Sequence, residues 1–89
     1  MQDRYLEITF RKGKPWAGYL YLARTVGVRS VRSEATGKGL VVDFDPEGRP
    51  IGVEITAPNR ITLADINEVL QNYGLSPLSI EELAPLQAA

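Results

Sequence analysis

The chain has 89 residues, 44% of them hydrophobic and 24% charged, with a net charge of −1, the size and balance of a single globular domain. It contains no Cys and no His, which excludes disulfides, zinc–thiolate sites and the usual imidazole base or ligand. Its longest apolar run, AGYLYLA, falls far short of the ~20 residues a membrane helix needs. MQDRYLEITF has no apolar signal core, so the cytoplasm is the expected location.

RYLEITF alternates Leu6, Ile8 and Phe10 against Tyr5, Glu7 and Thr9, the period of a half-buried strand. RKGKPWAG breaks the alternation with two Gly and a Pro and reads as a loop. YLYLAR is a second strand, and VRSVRSE, beyond Gly27, a more polar third whose Arg29 and Arg32 suit an edge. ATGKG is a turn, LVVDF a fourth strand and RPIGVEI a fifth. After APN the period changes. In TLADINEVLQNYG, Leu63, Ile66, Leu70 and Tyr73 form one helical stripe beside Val69. Thr62 and Asp65 suit a capping box and Gly74 a left-handed C-terminal cap. SIEEL begins again with Ser79 and Glu82, and Pro85 should stop it after about one turn. Strands followed by helices argue for an α+β fold: a small antiparallel sheet of about five strands, then one C-terminal helix and a short helical turn. All of 1–89 is read as one domain, with a β-rich core over 1–57 and a helical segment over 61–89.

DFDPEGRPIGVE matches the calcium-loop pattern D-x-[DN]-x-[DN]-G-x5-E except for Glu47. Its flanks, however, are strand-like, and Asp45-Pro46-Glu47-Gly48 has the residues of a type I turn. The expectation is a hairpin, with no metal or cofactor. Its register matters. Pairing Phe44 with Arg49 puts Leu40, Val42 and Phe44 on one face with Ile51, Val53 and Ile55. A bulge at Gly48 would instead put apolar residues on both faces, one of them for a second subunit to cover.

YLEITFRKGKPWAGYLYLA followed by VRSVRSEATGKGLVVDFDPEGRPIGVEI resembles the small prokaryotic family called domain of unknown function 2283. The likeness covers residues 5–57 and rests most on GLVVDFDPEGRPIGVEI, with LYLAR and the SE before a turn beside it. Where family members carry an acidic D-x-x-A-D loop, this chain has the basic RKGKPWAG. The resemblance implies a compact β-rich domain without an established activity and suggests an antitoxin-like or partner-binding role.

Three functional classes follow. An enzyme lacks support: there is no His, Cys, nucleophile elbow or phosphate loop, and Asp43 and Glu54, which can face each other across the hairpin, read as outward solvated residues. A hydrolase is therefore the least favoured reading. Nucleic-acid binding would use Arg29 and Arg32, with Arg24, Arg49, Arg60, Tyr19 and Tyr21, as an Arg/Tyr sheet surface, but the slightly acidic balance opposes it. The leading reading is an interaction module, a homo-oligomer (dimer) or the partner of another small protein. Its expected surface is Trp16 with Leu75, Leu78, Ile80, Leu83 and Leu86 of a detachable tail, although Trp16 also suits a ring folded back over the core edge. Ten basic against seven acidic residues give +3 before residue 61, and Asp65, Glu68, Glu81 and Glu82 give −4 after it, so the tail is expected to pack beside its own sheet.

Overall fold

The first strand does not end where Lys12 and Gly13 interrupt the apolar alternation; it turns. In the computed structural model, which describes residues 4–22 and 29–87 with side chains as far as Ala84 at the C-terminal end, β1 (Tyr5–Arg11) and β2 (Lys14–Tyr21) form a hairpin around those two residues alone. Both have positive φ, 54° and 79°, as a two-residue primed turn requires. RKGKPWAG is therefore mostly strand rather than loop. Pro15 is tolerated because β5 pairs with β2 only from Gly18 to Tyr21, so the hairpin tip has a free side. Thr9 opposes Ala17 and Phe10 opposes Pro15, leaving Trp16 as the extra residue of a bulge.

β3 (Arg32–Ala35), β4 (Leu40–Phe44) and β5 (Pro50–Ile55) complete an antiparallel sheet in the order β1-β2-β5-β4-β3. The third strand is shorter than VRSVRSE and is an edge, as its charges suggest. Its expected start at Val28, with Arg24 and Gly27, lies outside the described residues. The turn between β4 and β5 has the expected form. The Gly48 amide donates to the Asp45 carbonyl at 3.0 Å, and Gly48 takes φ +83°. Register is settled by a bulge at a place neither expectation named. Val42 faces Val53, Asp43 faces Gly52, and Phe44 faces Pro50, so Ile51 is the extra residue. The slip is absorbed there, and Leu40, Val42, Phe44, Val53 and Ile55 all stay on one buried face. On the other side the one apolar side chain in the ladder is Val41, opposite Glu54, so register makes no second apolar face for another subunit to cover.

That face is covered by the helical segment. A 3-10 turn at Pro58–Arg60 leads into α1 (Leu63–Asn72), where Thr62 and Asp65 make the reciprocal capping box. Gly74 closes α1 at φ +72°, with the Leu75 amide returning to the Leu70 carbonyl at 2.8 Å. α2 (Ile80–Gln87) starts with the Ser79–Glu82 box and continues past Pro85. Pro85 has no amide proton to give to a preceding carbonyl, yet one lost bond does not end the helix. Asn67 holds the link between the helices, giving Nδ2 to the Leu78 carbonyl at 3.2 Å and taking the Leu78 amide at 2.7 Å. Ile61, Ile66, Val69, Leu70, Leu78 and Leu83 join the sheet's apolar face in one core. Among the described residues no helix is long and apolar enough to cross a membrane.

The tail packs on the sheet of its own chain. Leu78 and Leu83 are core residues, 4% and 0% exposed, and Leu75 packs partly buried against them. Their role as an interaction surface is thereby corrected: the chain's own sheet consumes them. Of the tail residues in that set whose side chains are described, only Ile80 stays exposed; Leu86 lies beyond the described side chains. The acidic tail does pack beside its own chain. Arg4 gives Nε and Nη2 to Glu82 at 3.2 Å and also reaches the Ser76 and Pro77 carbonyls. Lys38 pairs with Glu68 at 2.9 Å and Asp65 at 3.4 Å.

Candidate functional site: the helix-free face of the sheet

Alternation along the strands sends a second set of side chains away from the helices. Tyr5, Glu7 and Thr9 of β1 stand opposite Tyr21, Tyr19 and Ala17 of β2. Tyr19 and Tyr21 stand opposite Glu54 and Gly52 of β5, and Asp43 of β4 lies between Gly52 and Ser33. This face carries a ladder of tyrosines. The Tyr5 and Tyr21 rings stack at 4.6 Å, and Tyr19 meets Tyr21 edge-on at 4.7 Å. Each inner hydroxyl has a carboxylate: Tyr21 donates to Glu7 at 3.1 Å and Tyr19 to Asp43 at 2.9 Å.

Asp43 is the centre of the arrangement. It is not the outward solvated residue expected from the sequence but is 5% exposed, roofed by Tyr19. Besides Tyr19 it accepts the Ser33 hydroxyl at 2.6 Å. Glu54 comes up beside it from β5. Burial pushes the Glu54 carboxyl above the ordinary glutamate range, and hydrogen bonding to Asp43 and the repulsion of its charge push the same way. Burial, then the bond to Asp43, also raises the Tyr19 phenol, so it stays a donor throughout the physiological range.

Gly52 makes the roof possible. A Cβ there would stand 1.9 Å from the Tyr19 hydroxyl oxygen and 2.3 Å from the ring carbon that bears it. The sequence carried one sign of this, a glycine inside an otherwise β-branched strand, which marks a close approach. Which ring approaches is a tertiary matter, since Tyr19 is 33 residues away in the chain.

Trp16 borders a shallow groove of about 490 Å³ beside this network, lined by Thr9, Ala17, Tyr19, Glu54 and Thr56. Its ring is 57% exposed rather than folded over the core edge; the bulge takes this position out of the β1 ladder, and β5 reaches β2 only from Gly18. The Arg11 guanidinium lies over it, 5.3 Å from the ring centre.

Among the described residues, which leave out Arg24, the Arg/Tyr surface expected for nucleic acid is not assembled. Arg32 points to the helix side, over the Phe44 ring at 3.9 Å, and pairs with Glu34, which Tyr73 of the C-terminal segment also engages. Tyr19 and Tyr21 face the other way, among carboxylates. Arg29 is exposed ahead of β3. The calcium-like loop is closed on itself. Asp45 takes the Glu47 and Arg49 amides on Oδ1 and the Arg49 guanidinium on Oδ2, which holds its carboxyl below the ordinary range, the Arg49 amide contributing most. Glu54, the twelfth position of that pattern, is on the tyrosine face opposite Val41. Among the described residues no group of three or more carboxylates is placed to hold a metal ion.

No family model, curated protein or solved structure matches this chain. Its function is therefore read from the geometry.

Proposed function

We propose that this chain is a cytoplasmic protein-interaction module that associates with a second copy of itself. The observation that carries the reading is where the exposed apolar surface lies. Tyr5, Phe10 and Trp16 are 58%, 51% and 57% exposed, and all three stand on the β1–β2 hairpin. Val31 and Ile80 are also exposed but stand singly on other segments, as is ordinary, whereas Tyr5 and Phe10 flank the edge strand on its two faces and Trp16 stands on the strand paired with it, which supports an association along this hairpin. A chain this short, with no disulfide, also gains more than most from burying such surface against a partner. Asp43 is already engaged by Tyr19 and Ser33, a lock that holds β2, β3 and β4 together.

The test is native mass spectrometry of the full chain over a concentration series, beside the same series for Phe10→Asp. The expected result is a dimer peak that grows with concentration and is lost in Phe10→Asp, with the far-UV circular dichroism of the two proteins unchanged. A chain that stays monomeric at every soluble concentration overturns the proposal.

A further inference from the structure

The sheet has two edges, and they differ. β3 is four residues long and carries Arg32 and Glu34, charges of the kind that keep an edge from recruiting another strand. β1 has seven residues, no Pro or Gly, and five of its side chains are β-branched, aliphatic or aromatic: Tyr5, Leu6, Ile8, Thr9 and Phe10. Among the described residues, no further backbone hydrogen bond reaches it besides its ladder with β2. The bulge of the hairpin lies in β2, so β1 keeps strict alternation. Tyr5, Glu7, Thr9 and Arg11 share the tyrosine face; Leu6, Ile8 and Phe10 share the helix face. Leu6 and Ile8 are half-covered by the core, while Phe10 continues their stripe beyond that cover.

We infer that a second copy of the chain adds to this edge, β1 against β1 in antiparallel register about a two-fold axis at Ile8, making one continuous ten-stranded sheet. The inference rests on the self-association reading and names its geometry. Ile8 is the middle residue of β1, so this axis pairs all seven residues. Opposite each other then stand Ile8 and Ile8, Leu6 and Phe10, Tyr5 and Arg11, and Glu7 and Thr9. The helix-side stripe becomes an apolar row that covers Phe10. On the other face each Glu7 lies diagonal both to Glu7 and to Arg11 of the other copy, ~7–8 Å away, so each copy's Arg11 lies within reach of the other's Glu7 and offsets the diagonal repulsion between the two carboxylates. Tyr5 meets the Arg11 guanidinium as an aromatic ring meets a cation. An axis at Glu7 would place two like charges directly opposite, which is unfavourable. An axis at Thr9 would leave Tyr5 and Leu6 unpaired. A two-fold contact requires a surface complementary to itself, and this strand is one.

The absence of Cys makes a cross-linking test free of background. Directly opposed residues of an antiparallel pair have Cα atoms ~4.5–5.5 Å apart, within the ~4.4–6.8 Å that a disulfide spans. The full chain carrying Ile8→Cys should oxidise to a covalent dimer on the order of a hundredfold faster than the same chain in urea. Glu7→Cys and Thr9→Cys, both on the exposed face, serve should Ile8→Cys lose its fold. Neither should cross-link alone at that rate, and an equimolar mixture of the two should. A protein that is dimeric by native mass spectrometry but gives no fast cross-link at Ile8 or in the mixture overturns the edge pairing and leaves self-association standing. Fast cross-linking of Thr9→Cys with itself overturns the register. A monomer overturns both.

Discussion

Gly52→Ala adds one methyl group at an interior strand position, a change that elsewhere stabilises a chain by ~0.4–1 kcal/mol through its unfolded state. Here it should destabilise. The new Cβ would fall 1.9 Å from the Tyr19 hydroxyl oxygen and within 2.4 Å of two ring carbons. A phenol ring is rigid, so Tyr19 must swing away as a whole. It then gives up its 2.9 Å bond to the Asp43 carboxylate, about 1.5 kcal/mol at the low end for a charged acceptor, as suits a half-buried donor. It also gives up the edge-on contact with Tyr21, roughly 0.5–1 kcal/mol. Set against the gain at the glycine, the net loss is about 1.5 kcal/mol, or roughly 6–12 °C in Tm for a domain of this size. Urea unfolding followed by far-UV circular dichroism would measure it, in the natural chain and in a Tyr19→Ala background. Without the ring, Gly52→Ala should become neutral or stabilising. An equal loss in both backgrounds would refute the account, because the methyl group would then be clashing with something other than Tyr19.

Two more outcomes are expected. Glu54 has its folded pKa raised, so its contribution to stability is complete below the ordinary glutamate value and is lost as pH rises through the raised one. Asp45, Asp65 and Glu82, held low by hydrogen bonds from backbone amides, contribute above the ordinary carboxylate range and lose that contribution as pH falls through their depressed values. Glu54→Gln should remove the loss on the neutral side, raising stability at neutral pH by roughly 0.2–1 kcal/mol and leaving the acid limb alone; urea midpoints at acidic and neutral pH would show whether the two proteins converge in acid. Leu83→Ala should cost about 2–5 kcal/mol, since the side chain is fully buried, while Ile80→Ala, three residues earlier and exposed, should stay within about 0.5 kcal/mol. Thermal melts decide this pair, and a neutral Leu83→Ala that instead abolished association would restore α2 as an exchange element.

Periodicity and local chemistry determined a good deal here. Alternation along RYLEITF and LVVDF, the 3-4 spacing of Leu63, Ile66 and Leu70, the Asp-Pro-Glu-Gly turn and both capping boxes depend on residues within a few positions of one another, and each is realised in place. Composition likewise indicated that the acidic tail could find bases in its own chain, which Arg4 before β1 and Lys38 in the β3–β4 turn supply. What sequence reading missed depends on the partner across the strand. RKGKPWAG reads as a loop because Pro and Gly interrupt it, yet Pro15 sits where β5 does not reach and can belong to a strand. The register of the β4–β5 hairpin turned on one extra residue, Ile51, which no local signal distinguishes from its neighbours. Leu78 and Leu83 looked like spare apolar surface because nothing in a linear chain says that Arg4 and Asn67 will draw that segment back onto the sheet. Asp43 and Glu54 were legible as residues able to meet, but not as a buried network, because the roof over them comes from Tyr19 on another strand and fits only above Gly52. The short-range forces that make turns, caps and stripes are written residue by residue. Burial, register and close approach are set by what packs opposite, and only the tertiary structure decides that.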